Sequence, residues 1–249
     1  MARGSFFAGI MTSTVLGAAL IVGLAAPAYA QNAPPKLTLA GSATFTTDYM
    51  FRSISNTKND PAVQPEFDLT YGMFFFTLWG SNTSFGKNIE IDYYGGIMPK
   101  WGDFTFTIAG NEYTYPGGDD IDYFELHTAV AYAKGPWSLA IHNYWSPDNF
   151  QTFGNSNAIE GDVGYTFTGK LFGFFTPSIS GAVGFQSYEE IASDYTYWNA
   201  GLTLGFMKNW SADIRYYDTT YNEDQCFINT GNSRTACDAR AVGTIKATF

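Results

Sequence analysis

From Arg240 to Phe249 the chain alternates. Ala241, Gly243, Ile245, Ala247 and Phe249 fall on one side; Arg240, Thr244, Lys246 and Thr248 fall on the other. A period of two, small and apolar against polar, describes a strand lying between two environments. The same pattern recurs about a dozen times along the chain. In a soluble sandwich the apolar face would point to a core. Repeated this often, in a chain that opens like a secreted protein, it predicts lipid outside and water inside. The fold expected is all-β: an antiparallel transmembrane β-barrel of about 12 strands.

The front end supports secretion. Arg3 is the only charge before Lys36, an apolar run spans Val15 to Ala26, and Ala28-Tyr29-Ala30 supplies a small-residue cleavage site. This predicts a signal peptide over residues 1–30, with an outer-membrane barrel domain over residues 31–249. No later segment reaches the 18 or so apolar residues that a spanning helix needs. Charged residues make up 14% of the chain and aromatics 18%, whereas a soluble domain carries about 25% charged residues. Removing Arg3 leaves 12 Lys plus Arg against 23 Asp plus Glu, so the mature chain carries about −11. That balance argues against nucleic acid as a partner.

Eleven strands are expected before the last. They run over residues 37–52, 62–71, 73–82, 88–98, 101–112, 121–132, 137–145, 157–167, 175–186, 195–206 and 210–219. The Phe74-Phe75-Phe76 run hides the parity of the third. Tight connections at Gly72, Pro99-Lys100, Lys134-Gly135, Thr168 to Gly173 and Met207 to Asn209 alternate with longer ones. Short turns on one side and longer loops on the other is the outer-membrane arrangement, with both termini on the periplasmic side. Cys226 and Cys237 flank a polar stretch in the last long loop. In an oxidising compartment they are expected to pair as a loop staple.

Thr47-Asp48-Tyr49-Met50-Phe51-Arg52-Ser53-Ile54-Ser55, followed by Asp60-Pro61-Ala62-Val63-Gln64, resembles the N-terminal signature of the TorF family of porin-like proteins. Trp79-Gly80-Ser81-Asn82, Glu90-Ile91-Asp92-Tyr93-Tyr94-Gly95 and the terminal Phe249 are similar to that family too. One departure is Ser53, where the pattern expects Gly after the Arg. The resemblance implies a tyrosine-rich barrel in the outer membrane of a Gram-negative bacterium. The closing Phe249 also resembles the C-terminal signature that the barrel assembly machinery reads in such proteins.

Parity assigns the lumen. Glu66, Asp68, Glu90, Asp92, Glu125, Glu160 and Asp162 all fall opposite lipid-type residues, on strands that descend towards the periplasm, so they are expected to collect in the outer half. Inward basic groups are fewer: Arg215, Arg240 and Lys246, with Arg52 near the rim. Such a lumen concentrates cations, which predicts a porin-like channel for small solutes or ions with a cation preference. A structural reading stands beside it: the carboxylates pair with the arginines and tyrosines fill the rest, giving a structural or adhesive barrel that acts through its loops. A lipid-modifying enzyme is the weaker alternative. His127 and His142 read as inward on neighbouring strands, but no G-x-S-x-G accompanies them, and no catalytic residue is assigned. No cofactor or metal is expected, and Asp60 and Asp119-Asp120 read as solvated loop acids.

Overall fold

The computed structural model describes residues 35–118, 121–231 and 233–249. The signal segment and Asp119-Asp120 lie outside them. Twelve long strands form one closed antiparallel sheet. They are β1 (Leu37–Thr46), β2 (Ala62–Tyr71), β3 (Phe74–Asn82), β4 (Ile89–Ile97), β5 (Phe104–Thr114), β6 (Tyr123–Lys134), β7 (Trp137–Ser146), β8 (Ser156–Thr166), β9 (Thr176–Tyr188), β10 (Tyr195–Phe206), β11 (Trp210–Thr219) and β12 (Arg240–Thr248). Each pairs with its sequence neighbour. β12 returns to β1 and closes the barrel, with Ser42 opposite Thr248 and Thr46 opposite Thr244. Closure removes the exposed edges that an open sheet would present. Among the described residues no helix is long and apolar enough to cross a membrane.

The alternation follows the expected parity. Leu39, Phe45, Val63, Phe67, Ile108 and Ile141, with the apolar residues that alternate like them, are exposed on the outer wall; their polar neighbours are turned inward. A continuous apolar exterior is what hydrocarbon would cover and water would not. The third strand now has a parity: Phe75, Thr77, Trp79 and Ser81 point in, while Phe74, Phe76 and Leu78 point out. Phe249 supplies the last rung of the ladder. Its N–H donates to the Gly41 carbonyl at 3.0 Å and its carbonyl accepts from the Gly41 N–H at 2.9 Å. A Cβ on Gly41 would sit 2.7 Å from the Phe249 ring, so glycine there is what lets the ring lie down.

Three local expectations need correction. The second tight turn falls at Gly102-Asp103, not Pro99-Lys100. Ile97 pairs with Ile108 and Lys100 with Thr105 in one continuous register. Pro99 has no N–H to give the ladder, but it does not turn the chain; Gly102, at φ 59°, does. The last long loop contains a helix, α1 (Glu223–Thr230), where only irregular chain was expected. Asn222 and Gln225 form a reciprocal capping box, and Gly231 ends the helix at φ 63°. Finally, the first strand stops at Thr46 rather than running on to Arg52.

Candidate functional site: a plugged lumen

After Thr46 the chain leaves the wall and folds into the barrel. Met50–Phe51 pairs with Ile54–Ser55, a hairpin whose tip is Arg52-Ser53. Both tip residues have positive φ, 45° and 60°, as a type I′ turn requires of its two central residues. Glycine would favour this turn. Ser53 holds it by donating its hydroxyl to the Trp198 carbonyl at 3.0 Å.

The hairpin is fixed at both ends. At its base the Asp48 carboxylate accepts from Ser55 Oγ at 2.6 Å, Thr57 Oγ1 at 2.8 Å and Arg240 Nη1 at 2.9 Å. At its tip Arg52 donates two bonds to Glu125, at 2.8 and 2.9 Å, and one to Gln186 at 2.8 Å. Its guanidinium also lies 4.8 Å from the Phe51 ring centre and 4.9 Å from that of Tyr144. Arg52 is buried, with only 3% of it exposed, at the level of Glu125, Gln186 and Tyr144, each two residues inside the long-loop end of its strand. The disulfide loop lies over the hairpin. Cys226 and Cys237 are bonded and cluster with Ile54, Tyr195, Tyr197 and Tyr221. The Ser55 N–H donates to Ala236 of this loop at 2.8 Å.

The ten residues expected to line the lumen are buried or half-buried on the face opposite the exposed apolar residues, and they divide into two groups. Four inward cations each take one carboxylate: Arg52 with Glu125, Arg240 with Asp48, Lys246 with Glu66 and Arg215 with Asp213. The sequence reading left Asp48 and Asp213 out of the site, although both alternate inward. Arg215 is also committed to Asn199 and Ser180, and its guanidinium occupies the space that a side chain on Gly201 would take. Asp68, Glu90, Asp92, Glu160 and Asp162 have no Lys or Arg partner among the described residues. Asp68 accepts from Thr77 at 2.6 Å, and Glu90 accepts from Tyr49 at 3.2 Å. Asp92 is fully buried, and neither of its oxygens has a protein donor among the described residues. The acids are not all in the outer half: Glu90, Asp92 and Glu125 lie within four residues of the long-loop ends of their strands, whereas Ser42 and Lys246 hold Glu66 nearer the end where Phe249 closes the barrel.

The two histidines belong to one hydrogen-bonded chain. Tyr94 Oη lies 2.6 Å from His127 Nδ1, His127 Nε2 lies 2.9 Å from His142 Nδ1, and His142 Nε2 lies 2.9 Å from Asp162. The neighbouring positions of the histidines were legible in the sequence. Their register, and Tyr94 reaching over from β4, were not.

A model of the family described as "Bacterial protein of unknown function (Gcw_chp)" matches residues 30–249. No curated protein sequence matches the chain. Among solved structures the fold is similar to a KdgM porin, with a TM-score of 0.57 at 9% identity over 84% of this chain and 99% of that one. It is similar to the same porin in complex with disordered oligogalacturonate, at TM-score 0.56 and 9% identity over 85% and 99% of the two chains. A NanC porin gives 0.51 at 12% identity, over 85% and 99%. At these identities the likeness shows the fold: a closed porin-type barrel.

Proposed function

The chain belongs to that bacterial family, and we propose that it is a gated, cation-preferring outer-membrane channel for small solutes or ions, shut in this conformation by the hairpin at Arg52. The observation that carries this reading is the charge left over inside. After each inward cation has taken one carboxylate, Asp68, Glu90, Asp92, Glu160 and Asp162 remain without a lysine or arginine partner among the described residues. Uncompensated carboxylates in a low-dielectric wall attract cations and repel anions. The porin-type fold adds support, since barrels of this architecture enclose a lumen along their axis. Oligogalacturonate, named with one similar porin, is a polyanion. The acid-rich lumen here disfavours such a solute, so small cations and neutral solutes fit better.

The reading carries its location with it. A signal peptide over residues 1–30, an outer wall facing lipid and a Phe249 strand offered to the assembly machinery fit a Gram-negative outer membrane. The test is the reversal potential across a KCl gradient in a planar bilayer, with and without Glu90→Gln, Asp92→Asn, Glu160→Gln and Asp162→Asn. The wild type should prefer cations, and the four changes should reduce the preference. An anion-preferring pore, or a selectivity that the changes leave alone, would refute it. A second reading, a permanently filled barrel acting through its outer loops, draws on the burial of Arg52, Glu125 and Gln186. It predicts no conductance even when Arg52 is replaced by Ala.

A further inference from the structure

Building on the channel reading, we infer that acid opens the barrel, and that the His127–His142 pair is the proton sensor that releases Arg52.

An ionised Asp162 only accepts, so His142 Nε2 carries the hydrogen of that bond. His142 Nδ1 then accepts from His127 Nε2–H, and His127 Nδ1 accepts from the Tyr94 hydroxyl. Three hydrogen bonds are thus filled by three hydrogens, with both imidazoles neutral. All four ring nitrogens are used. The next proton must make one imidazole a cation; on His127 Nδ1 the Tyr94 hydroxyl would have to turn round and accept it. On the bond between the two rings it would set two N–H groups facing across 2.9 Å, so the rings would have to part.

Position gives the count its consequence. Tyr144 lies parallel to both imidazoles, its ring centre 4.3 Å from that of His127 and 5.9 Å from that of His142. Arg52 rests on the same Tyr144 ring. A charge on the histidine pair therefore appears beside the guanidinium that holds the hairpin down. Whichever bond takes the proton, the new cation repels Arg52 and competes for its counter-ion. Glu125 is two residues from His127 on the same face of β6.

The surrounding groups set the sign. β4 presents Tyr94, with Asp92 and Glu90 above it. β5 presents Ala109 opposite His127, together with Tyr113, which donates to Glu125 at 2.9 Å. β7 contributes Tyr144. β8 presents Glu160 directly opposite His142, and Asp162. β9 and β10 add Gln186 and Tyr197, and the hairpin adds Arg52. Arg52 is the one permanent cation in this shell. Among these groups Arg52 is the one that a new positive charge would repel. Falling pH should therefore loosen the tip.

The experiment uses the full barrel in planar bilayers at pH 7.5 and pH 5.0, with a parallel fluorescence measurement from a probe on Lys58→Cys in the hairpin loop. In the wild type the open probability should rise about tenfold or more, as expected when one proton shifts the balance by a pH unit or so, and the probe should report movement. The His127→Gln, His142→Gln double variant keeps polar side chains at both positions but cannot titrate near neutral pH; both signals should stay flat. Arg52→Ala should be open at both pH values. A pH response that survives the double Gln change, or a conductance that falls in acid, would overturn the inference. If no variant conducts, the channel reading fails, and the probe alone decides the sensor: acid-driven movement lost in the double variant upholds it, and an unmoved hairpin refutes it.

Discussion

The two halves of the lumen are built from different side chains. Along β6 the inward residues nearest the long loops are Tyr123, Glu125 and His127, all buried; nearer the short turns they are Ala129, Ala131 and Ala133, which become progressively more open. β7 follows β6 in side-chain size, from Tyr144 and His142 to Ala140 and Ser138, although of these only Ser138 is half-buried. Twelve strands enclose more width than small side chains can fill. The upper half is filled by large aromatic and charged groups and by a hairpin; the lower half is lined by small side chains along β6 and β7, while Phe75, Ser178 and Thr203 are buried elsewhere on the same level. Gly184 shows how tightly the upper half is packed: a Cβ there would fall 2.2 Å from the Tyr197 ring. The hairpin occupies one level of the barrel, and its tip is seated by one arginine.

The largest effect should come from Arg52→Ala. Arg52 and Glu125 are 3% and 1% exposed, and removing one partner of a buried ion pair costs about 3–5 kcal/mol. Release of the hairpin offsets part of that by letting water reach Glu125. The expected outcome is a constitutively conducting barrel that unfolds at lower urea concentration. A variant that stays closed would show that the upper half is a permanent core.

Next is the disulfide. Cys226→Ser with Cys237→Ser should still insert, because no barrel strand pairs through α1. Closing a loop of this length contributes about 3 kcal/mol at most. The change should appear as faster proteolysis at the long-loop end and as a raised open probability, because the same loop holds Ser55 through Ala236. Conductance unchanged by the loss of the bridge would detach the disulfide loop from the plug.

A pair of matched substitutions then separates the halves directly. Ala158 is 0% exposed, on the inward face of β8 in the packed half; Ala131 lies in the open half. Ala158→Phe should cost about 1–3 kcal/mol by overpacking. Ala131→Phe should be nearly neutral in urea unfolding, yet should lower the conductance of the Arg52→Ala barrel by narrowing the vestibule. Equal penalties would erase the distinction.

The wall was legible in the sequence and the plug was not. Parity is a local property, so Glu66 through Lys246 could be placed on a face from their neighbours alone. Leu37 to Arg52 also alternates, and nothing local separates the part that stays in the sheet from the part that turns inward. The turn itself gave no signal, because Arg52-Ser53 takes a conformation usually marked by Asn-Gly or Asp-Gly. The contacts that seat it join Arg52 to Glu125 and Gln186, 73 and 134 residues away. α1 had a readable sign that went unused: Asn222 followed three residues later by Gln225 is the pattern of a capping box.

The smallest effect is expected where the two halves handle the same chemistry differently. Lys246 and Glu66 form an ion pair at 3.3 Å, just as Arg52 and Glu125 do at 2.8 Å, but the side chains are 18% and 12% exposed. The lysine is a flexible point charge making one bond, and water in the open half can solvate either partner once the other is gone. Lys246→Gln should therefore cost no more than about 1 kcal/mol, the range of solvated pairs, and less in high salt. It would also remove a positive charge from the lower lumen, so the cation preference of an opened barrel should rise slightly. Urea unfolding at low and high salt, with the reversal potential of the same variant in the Arg52→Ala background, measures both. A penalty as large as that of Arg52→Ala, unmoved by salt, would mean that the lower half is as dry as the upper one, and that the vestibule does not exist.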